Sequence, residues 1–432
     1  MSETIVGVLG FLCIAAIVVT LFKSKTLPSI AFIVFPFILA IVLVIGGYYS
    51  FDDIAKLIKS GFGSTGPTAA LFVFSVLYFG IMTDAGMFDV IIGKLMKLVG
   101  GNVVGVAVMT CIIALIGHLD GGGASTFCIA VLAMGVLNLM PWAGPTMRAA
   151  SVLGIEAGQL WGTLIPIQIF GIVLALTHAV IVGLIEKKRG AGLDGSLAQT
   201  EAAEEAVEGS ADAANELARP KLFAFNIVLT VAVIALLIWD VFPSYVPFML
   251  GVAIAILVNY PGAKLQKKVI NSHAGPALMM CSTLMGAAVL MGVLVKSVTV
   301  NDIAVPSVVT CMADLIQMIL PAALGQHLPL VIGILSVPLA LAFDTDSYFY
   351  GMLPVMIGIG EGFGISALPI AVAMVVCRNC ATFISPMVPA TLLGVGLADV
   401  DIEDHIKNSF LWVWGFSILC MIFAIILGIM PL

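Results

Sequence analysis

The chain has 432 residues, 61% of them hydrophobic and only 10% charged, with a mean hydropathy of +1.18. A soluble domain carries about 25% charged residues, so a water-soluble fold is excluded, and the long unbroken apolar runs exclude a β-barrel of short alternating strands. The formal net charge is −7 and no basic stripe exists, which removes nucleic acid as a partner and leaves the lipid bilayer as the surroundings.

In chain order, the first apolar runs cover residues 5–22, 27–48 and 68–83 and read as transmembrane helices. The first lacks a basic leader and a small-residue cleavage site, so it reads as a retained helix. Ahead of the third, Lys56 and Lys59 lie with Asp52 and Asp53 in a segment expected to hug the outer surface. Residues 87–99 set Lys94 and Lys97 among apolar neighbours, the pattern of an interfacial helix.

The run at 103–116 is too short to cross a bilayer comfortably. It stops at an acidic break, Gly117-His118-Leu119-Asp120-Gly121-Gly122-Gly123-Ala124-Ser125-Thr126. An interruption follows, Pro141-Trp142-Ala143-Gly144-Pro145-Thr146, then Arg148, then a long run over 160–185. From residue 187 to 221 the composition turns to Ala, Gly and Glu. Nothing there could bury a core, so it reads as a solvated linker on the cytoplasmic side.

The second half retraces the first. Runs at 222–239, 246–258 and 277–295 precede an amphipathic stretch, 301–320, with Asp302, Asp314 and Gln317, expected to be a second interfacial helix. A short run at 328–342 ends at Phe343-Asp344-Thr345-Asp346-Ser347. Then come Arg378, a second interruption from Ser385-Pro386 to Thr391, and a final run at 410–430. The parallel order predicts two structural repeats, 1–186 and 222–432, joined by the linker. Basic clusters at Lys23, Lys94, Lys187 and Lys264 fall on one side if the repeats are inverted, which makes that side cytoplasmic and puts the amino terminus outside. The eight cysteines lie in apolar stretches and read as packing residues, as does Tyr348-Phe349-Tyr350. His405, among Asp401, Glu403 and Asp404, reads as a surface residue.

Irregular backbone at mid-membrane survives only when enclosed by protein or water, and carboxylates there mark ion or substrate paths. A helix that begins at such depth offers free N–H groups to an anion. Gly122 lets backbone approach a ligand, and Ser125, Thr126 and Ser347 add hydroxyls. Asp120, Asp344 and Asp346 suit a cation or protons instead. A site offering both fits an anion travelling with a cation. A divalent ion bridging ligand and protein reconciles the charges, and oxygen donors match Mg²⁺ or Ca²⁺. Asp120, Asp346 and His118 are the candidates for proton coupling. Arg148 and Arg378 either grip a carboxylate bidentately or neutralise a nearby Asp, and Asp344 either ligates or caps a helix. No nucleophile–base constellation points to an enzyme.

Several ordered motifs resemble the CitMHS family of citrate–metal–proton symporters. They are Leu77 to Asp89, Leu119-Asp120-Gly121, Met140 to Thr146 with Arg148, Thr345 to Pro354, Ser385-Pro386, Gly396-Leu397-Ala398-Asp399-Val400, and Asp404-His405. The resemblance implies an all-α polytopic membrane protein with two inverted repeats, whose re-entrant hairpins or discontinuous helices meet at mid-membrane. It implies proton-coupled citrate import across the cell inner membrane, with Mg²⁺ or Ca²⁺ as co-substrate, no permanently bound cofactor and, in many members, a dimer. Asp120, Ser125 and Thr126 would line one hairpin tip, and Thr345, Asp346 and Ser347 the other. Gly144, Pro145 and Thr146, with Ser385 and Pro386, would sit at the broken helices opposite. The chain departs from the family in lacking the second acid of its Asp-Gly-Asp-Gly break, in carrying Asn379-Cys380 where a Gln-Pro pair is common, and in a shortened stretch between Asp120 and Pro145. A sodium-coupled di- or tricarboxylate carrier and a cation/proton antiporter are the alternatives.

Overall fold

A computed structural model describes residues 1–23, 26–96, 130–188, 217–239, 241–300, 303–388 and 401–431, with single residues at 108, 111, 391 and 395. The expected first hairpin, with its acidic break, lies outside the described residues, as does most of the linker. Among the described residues, 8 helices are long and apolar enough to cross a membrane.

Helices α1 (Glu3–Phe22) and α2 (Pro28–Ile45) match the first two apolar runs. Pro28 starts α2 at a position where its missing N–H costs nothing. Helix α3 (Phe51–Asp84) is much longer than the expected 68–83. The segment with Lys56 and Lys59 is therefore the first half of one continuous helix, a correction with a local cause. Ser50 and Asp53 form a capping box, in which the Asp53 N–H donates to Ser50 Oγ at 3.2 Å and the Ser50 N–H to Asp53 Oδ2 at 3.0 Å. Asp52 and Asp53 also face the positive end of the helix dipole. Helix α4 (Met87–Met96) follows a left-handed Gly86.

Next come α5 (Ala130–Leu137), α6 (Gly144–Leu153) and α7 (Ala157–Lys188), then α8 (Phe223–Trp239), α9 (Tyr245–Asn259) and α10 (Ala263–Val295). Like α3, α10 extends well ahead of its apolar run and contains an internal proline, Pro276 against Pro67. The two long helices lie antiparallel. A methyl on Gly292 would sit 2.7 Å from the Leu57 carbonyl oxygen, and one on Gly80 would sit 2.6 Å from the His273 ring. Early α3 thus meets late α10, and late α3 meets early α10. Glycine at these points lets backbones touch, the usual device for joining helices in lipid. Gly292→Leu is expected to lower stability by about 1–3 kcal/mol through overpacking. A thermal melt of the purified chain in detergent checks this, and an unchanged melting temperature would contradict it.

The two halves of the chain exchange their elements. Helix α2 packs on α10, with Gly286 against the Ser29 backbone, and α9 packs on α3, with Gly251 against Tyr78. Likewise α8 reaches α4, where Thr230 Oγ1 donates to Met87 Sδ at 3.6 Å. Its counterpart is α1 on α11 (Val308–Gln317), with Gly7 beside the Cys311 carbonyl. Such a crossed arrangement is what a pseudo-two-fold axis in the membrane plane generates.

The stretch expected as one interfacial helix at 301–320 begins differently. Val298–Val300 and Ile303–Val305 form an antiparallel β-hairpin before α11 starts. Its β-branched residues favour strand, and Pro306 turns Val305 away from helical geometry. Helix α12 (Ala322–Gln326) then leads into α13 (Leu328–Ala340), a π-helical turn Ser347–Met352, and α14 (Leu353–Gly362). The 13 residues of α13 rise about 20 Å, short of the ~30 Å hydrocarbon core. Gly325, before α13, abuts the ring of Phe363, just after α14. The chain therefore enters and leaves on one face, and the acidic break forms the tip of a re-entrant hairpin. Helix α15 (Ala367–Cys380), a 3₁₀ turn Thr382–Ile384 and α16 (Ile402–Ile426) complete the fold. His405 is not a surface residue. It is buried and bonded to the Phe383 carbonyl at 3.0 Å, so it helps hold the turn after α15.

The linker is anchored where it ends. The Arg219 N–H donates to the Ala85 carbonyl at 3.0 Å, its Nε to the Asn259 carbonyl at 2.9 Å, and Tyr260 OH to the Leu217 carbonyl at 2.9 Å. Residues 217–219 thus dock beside the end of α3 and are not freely solvated. His273 pairs with Asp84 at 2.9 Å, which brings early α10 and its Lys264, Lys267 and Lys268 to the same end.

Candidate functional site

Three interrupted elements converge: the tip of the re-entrant hairpin, the gap between α5 and α6, and the gap after α15. Helix α5 unwinds at Asn138, whose freed carbonyl accepts from Thr146 Oγ1 at 3.1 Å and from Asn379 Nδ2 at 3.1 Å. Gly135 permits this crossing, because a methyl there would lie 2.9 Å from the Asn379 carbonyl oxygen. Gly144 and Pro145 then restart the chain as α6. On the other side, Ser385 Oγ donates to the Ala340 carbonyl at 2.5 Å and accepts from the Met387 N–H at 3.2 Å. It ties the second break, with Pro386, to the end of α13.

Arg148 projects from α6 and its Nε donates to Asp346 Oδ1 at the hairpin tip. This ion pair joins the two halves of the chain, and its side chains are only 9% and 15% exposed. Removing one partner of such a pair leaves a buried bare charge and costs about 3–5 kcal/mol. Asp344 is spent locally. Its carboxylate accepts from the Ser347 N–H at 2.8 Å and from Ser347 Oγ at 2.7 Å, so both residues cap the turn that follows the break. Thr345 sits between the two acids, half-buried at the tip.

Arg378 is fully buried in α15. Its Nη1 donates to Thr382 Oγ1 at 3.2 Å and its Cζ lies 6.0 Å from the centre of the Tyr348 ring. Its Nε and Nη2 have no partner among the described residues, and neither has Asn379 Oδ1. A buried charge with open donors is costly unless a ligand supplies the missing acceptors.

A crevice of about 10 Å³, room for roughly one water, lies beside the ion pair, lined by Arg148, Asp346, Gly144, Thr283 and Tyr350, with Phe72, Leu284, Met147 and Met280 as its apolar walls. Ordinary small-molecule pockets span about 300–1,000 Å³, so a multi-carboxylate ligand requires α6 and the hairpin tip to separate. Sequence reasoning treated Tyr348-Phe349-Tyr350 as packing. Tyr348 does pack, sharing a 2.6 Å hydrogen bond with Ser336, but Tyr350 lines the cavity and its buried hydroxyl has no partner among the described residues. Thr283 and Asn138 were missed as well. Nothing in a greasy helix marks one threonine, and Asn138 acts through its backbone carbonyl. His118, Asp120, Gly122, Ser125 and Thr126 lie outside the described residues, and among those described no three His, Cys, Asp or Glu cluster as a metal site.

No protein-family model matches the chain. It is 32% identical to a citrate transporter of Bacillus subtilis, covering 98% of its own length and 99% of the relative's. It is 29% identical to the Mg²⁺/citrate complex secondary transporter of the same organism, covering 98% of each, and 27% identical to the uncharacterized transporter YraO, again with 98% of each covered. In fold it is similar to the YdaH transporter of Alcanivorax borkumensis, with a TM-score of 0.55, 12% identity, and 89% and 91% of the two chains covered. Full-length kinship of this kind, in a chain of many apolar spans whose interrupted helices enclose a charged cavity, makes the protein a multi-pass plasma-membrane transporter of the CitMHS-type citrate transporter family.

Proposed function

We propose that the protein imports citrate as its complex with Mg²⁺ or Ca²⁺, together with protons. The observation that carries this reading is a cavity between the two halves of the chain that offers a guanidinium and a carboxylate side by side. An anion finds Arg148, a cation finds Asp346, and a metal–carboxylate complex finds both. The names of the full-length relatives support the same cargo. In this reading Arg148 and Arg378 grip substrate carboxylates, and Gly144, Pro145, Thr146, Ser385 and Pro386 shape the breaks around them. Thr345, Ser347 and Asp344 hold the hairpin tip, while Asp346, together with Asp120 of the first acidic break, serves metal and protons. The metal is cargo and leaves with the citrate. A homodimer, common in the family, is the assembly we expect.

Fully ionised citrate carries three negative charges, and a divalent ion reduces the complex to one. Two or more protons then make uptake electrogenic, favoured by about 2.3 kcal/mol per charge per 100 mV, inside negative. Labelled citrate uptake by proteoliposomes of the full chain tests the reading. Uptake is expected to require Mg²⁺ or Ca²⁺, to rise with acid outside, and to ignore Na⁺. Sodium dependence without proton dependence would select a sodium-coupled carrier, and ion exchange in citrate-free vesicles would select an antiporter.

A further inference from the structure

The geometry points to an exchangeable ion pair: we infer that Arg148 and Asp346 act as an internal stand-in for the cargo, so that metal and carboxylate can bind only together. The inference rests on the metal–citrate reading above and assigns it a device. In the closed cavity the guanidinium is already neutralised by Asp346. A metal-free carboxylate that takes Arg148 must evict Asp346, leaving a bare carboxylate beside an incoming anion. A lone divalent cation that takes Asp346 must evict Arg148, leaving a guanidinium beside a dication. Either event strands one buried charge next to another of like sign, which disfavours both being ionised. The metal–carboxylate complex avoids both outcomes, because its carboxylate replaces Asp346 on the arginine while its metal replaces Arg148 on the aspartate. Every charge keeps an opposite partner throughout.

The surroundings fit the swap. The cavity that holds Asp346 is also lined by two hydroxyl residues, Thr283, whose Oγ1 donates to the Met279 carbonyl at 3.2 Å and keeps its lone pairs, and Tyr350, whose hydroxyl has no partner among the described residues. Such oxygens suit Mg²⁺ or Ca²⁺. Gly144 lies directly against Arg148 Nη1, where any side chain would collide with it, so the guanidinium keeps its place over the cavity. The pair also bridges α6 in the first half of the chain and the hairpin tip in the second. Exchanging it for cargo releases that bridge, which links loading to the separation that the narrow cavity demands.

Equilibrium binding to the purified full chain tests this, with labelled citrate in Mg²⁺ or in chelator, and with Mn²⁺ as the metal probe. Wild type is expected to bind citrate roughly tenfold or more tightly with metal than without, within the usual range of site coupling. In Asp346→Asn the arginine is free, so this ratio falls several-fold towards one. In Arg148→Gln the aspartate is free, so Mn²⁺ alone binds roughly tenfold more tightly than to wild type. An Asp346→Asn chain that keeps the wild-type ratio, or an Arg148→Gln chain that binds Mn²⁺ no better than wild type, overturns the inference. Should either variant misfold, wild type still decides. Tricarballylate, a weakly chelating tricarboxylate, must tighten Mn²⁺ binding, and no change overturns the device. Wild type that binds citrate under neither condition sinks the citrate reading itself, and this inference with it.

Discussion

Replacing Arg148 with alanine is expected to abolish uptake and to destabilise the folded chain together. The guanidinium is buried and its Nε donates to Asp346 in the other half of the chain. Truncating one member of a buried, hydrogen-bonded charge pair costs about 2–5 kcal/mol of binding, which is roughly 30-fold or more in affinity. The same truncation strands the Asp346 carboxylate in the protein, at about 3–5 kcal/mol of stability. Removing both partners separates the effects. Arg148→Ala with Asp346→Ala leaves no bare charge, so much of the stability returns while uptake stays lost. Thermal melts and citrate uptake on the single and double variants close a double-mutant cycle. A single variant with a wild-type melt and wild-type uptake would show that the pair is idle.

Arg378→Met is expected to behave in the opposite way, losing transport while the fold holds or gains stability. Arg378 is completely buried yet makes one hydrogen bond, to Thr382, and leaves Nε and Nη2 open among the described residues. Each unsatisfied buried donor costs about 1–3 kcal/mol, and more when charged. Methionine keeps the length of the side chain and removes that burden, and replacing buried ionic groups by packed apolar ones is often neutral or stabilising by about 1–4 kcal/mol. The carboxylate grip proposed for Arg378 would offset that cost. The melting temperature of Arg378→Met should equal or exceed that of wild type, with uptake near background. Collapse of the fold would instead make Arg378 a structural residue.

Much of the scaffold was legible because lipid leaves few choices. The uninterrupted apolar stretches of α1, α2, α8 and α9 announced themselves, and the expected start at residue 27 fell one residue from the observed Pro28. The long helices α3 and α10 were half hidden. Their early turns carry Lys56 and Lys59 or Lys264, Lys267 and Lys268, so hydropathy alone cut them short. The capping box at Ser50 was the signal that extended α3. The hairpin at 298–305 was lost because a short amphipathic run does not declare its period.

At the site, Arg148, Arg378, Asp344 and Asp346 stood out as charges in apolar surroundings, and each carried two readings. Contacts chose for Asp344 and gave Arg148 its resting partner. Asp344 turned to Ser347, as a cap does. Arg148 found Asp346, 198 positions away, a pairing that no local pattern encodes. Tyr350 stayed invisible, since nothing in Tyr348-Phe349-Tyr350 says which hydroxyl lacks a partner. The π-helical turn that carries it is a distortion frequent at functional sites, but it exists only in the fold.

A structure of the full chain determined with citrate and Mn²⁺, whose anomalous scattering locates the metal, puts the account to its most direct trial. The metal is predicted on the Asp346 carboxylate, a citrate carboxylate on Arg148, and the two side chains parted from each other. Citrate bound elsewhere, with Arg148 still joined to Asp346, would contradict it.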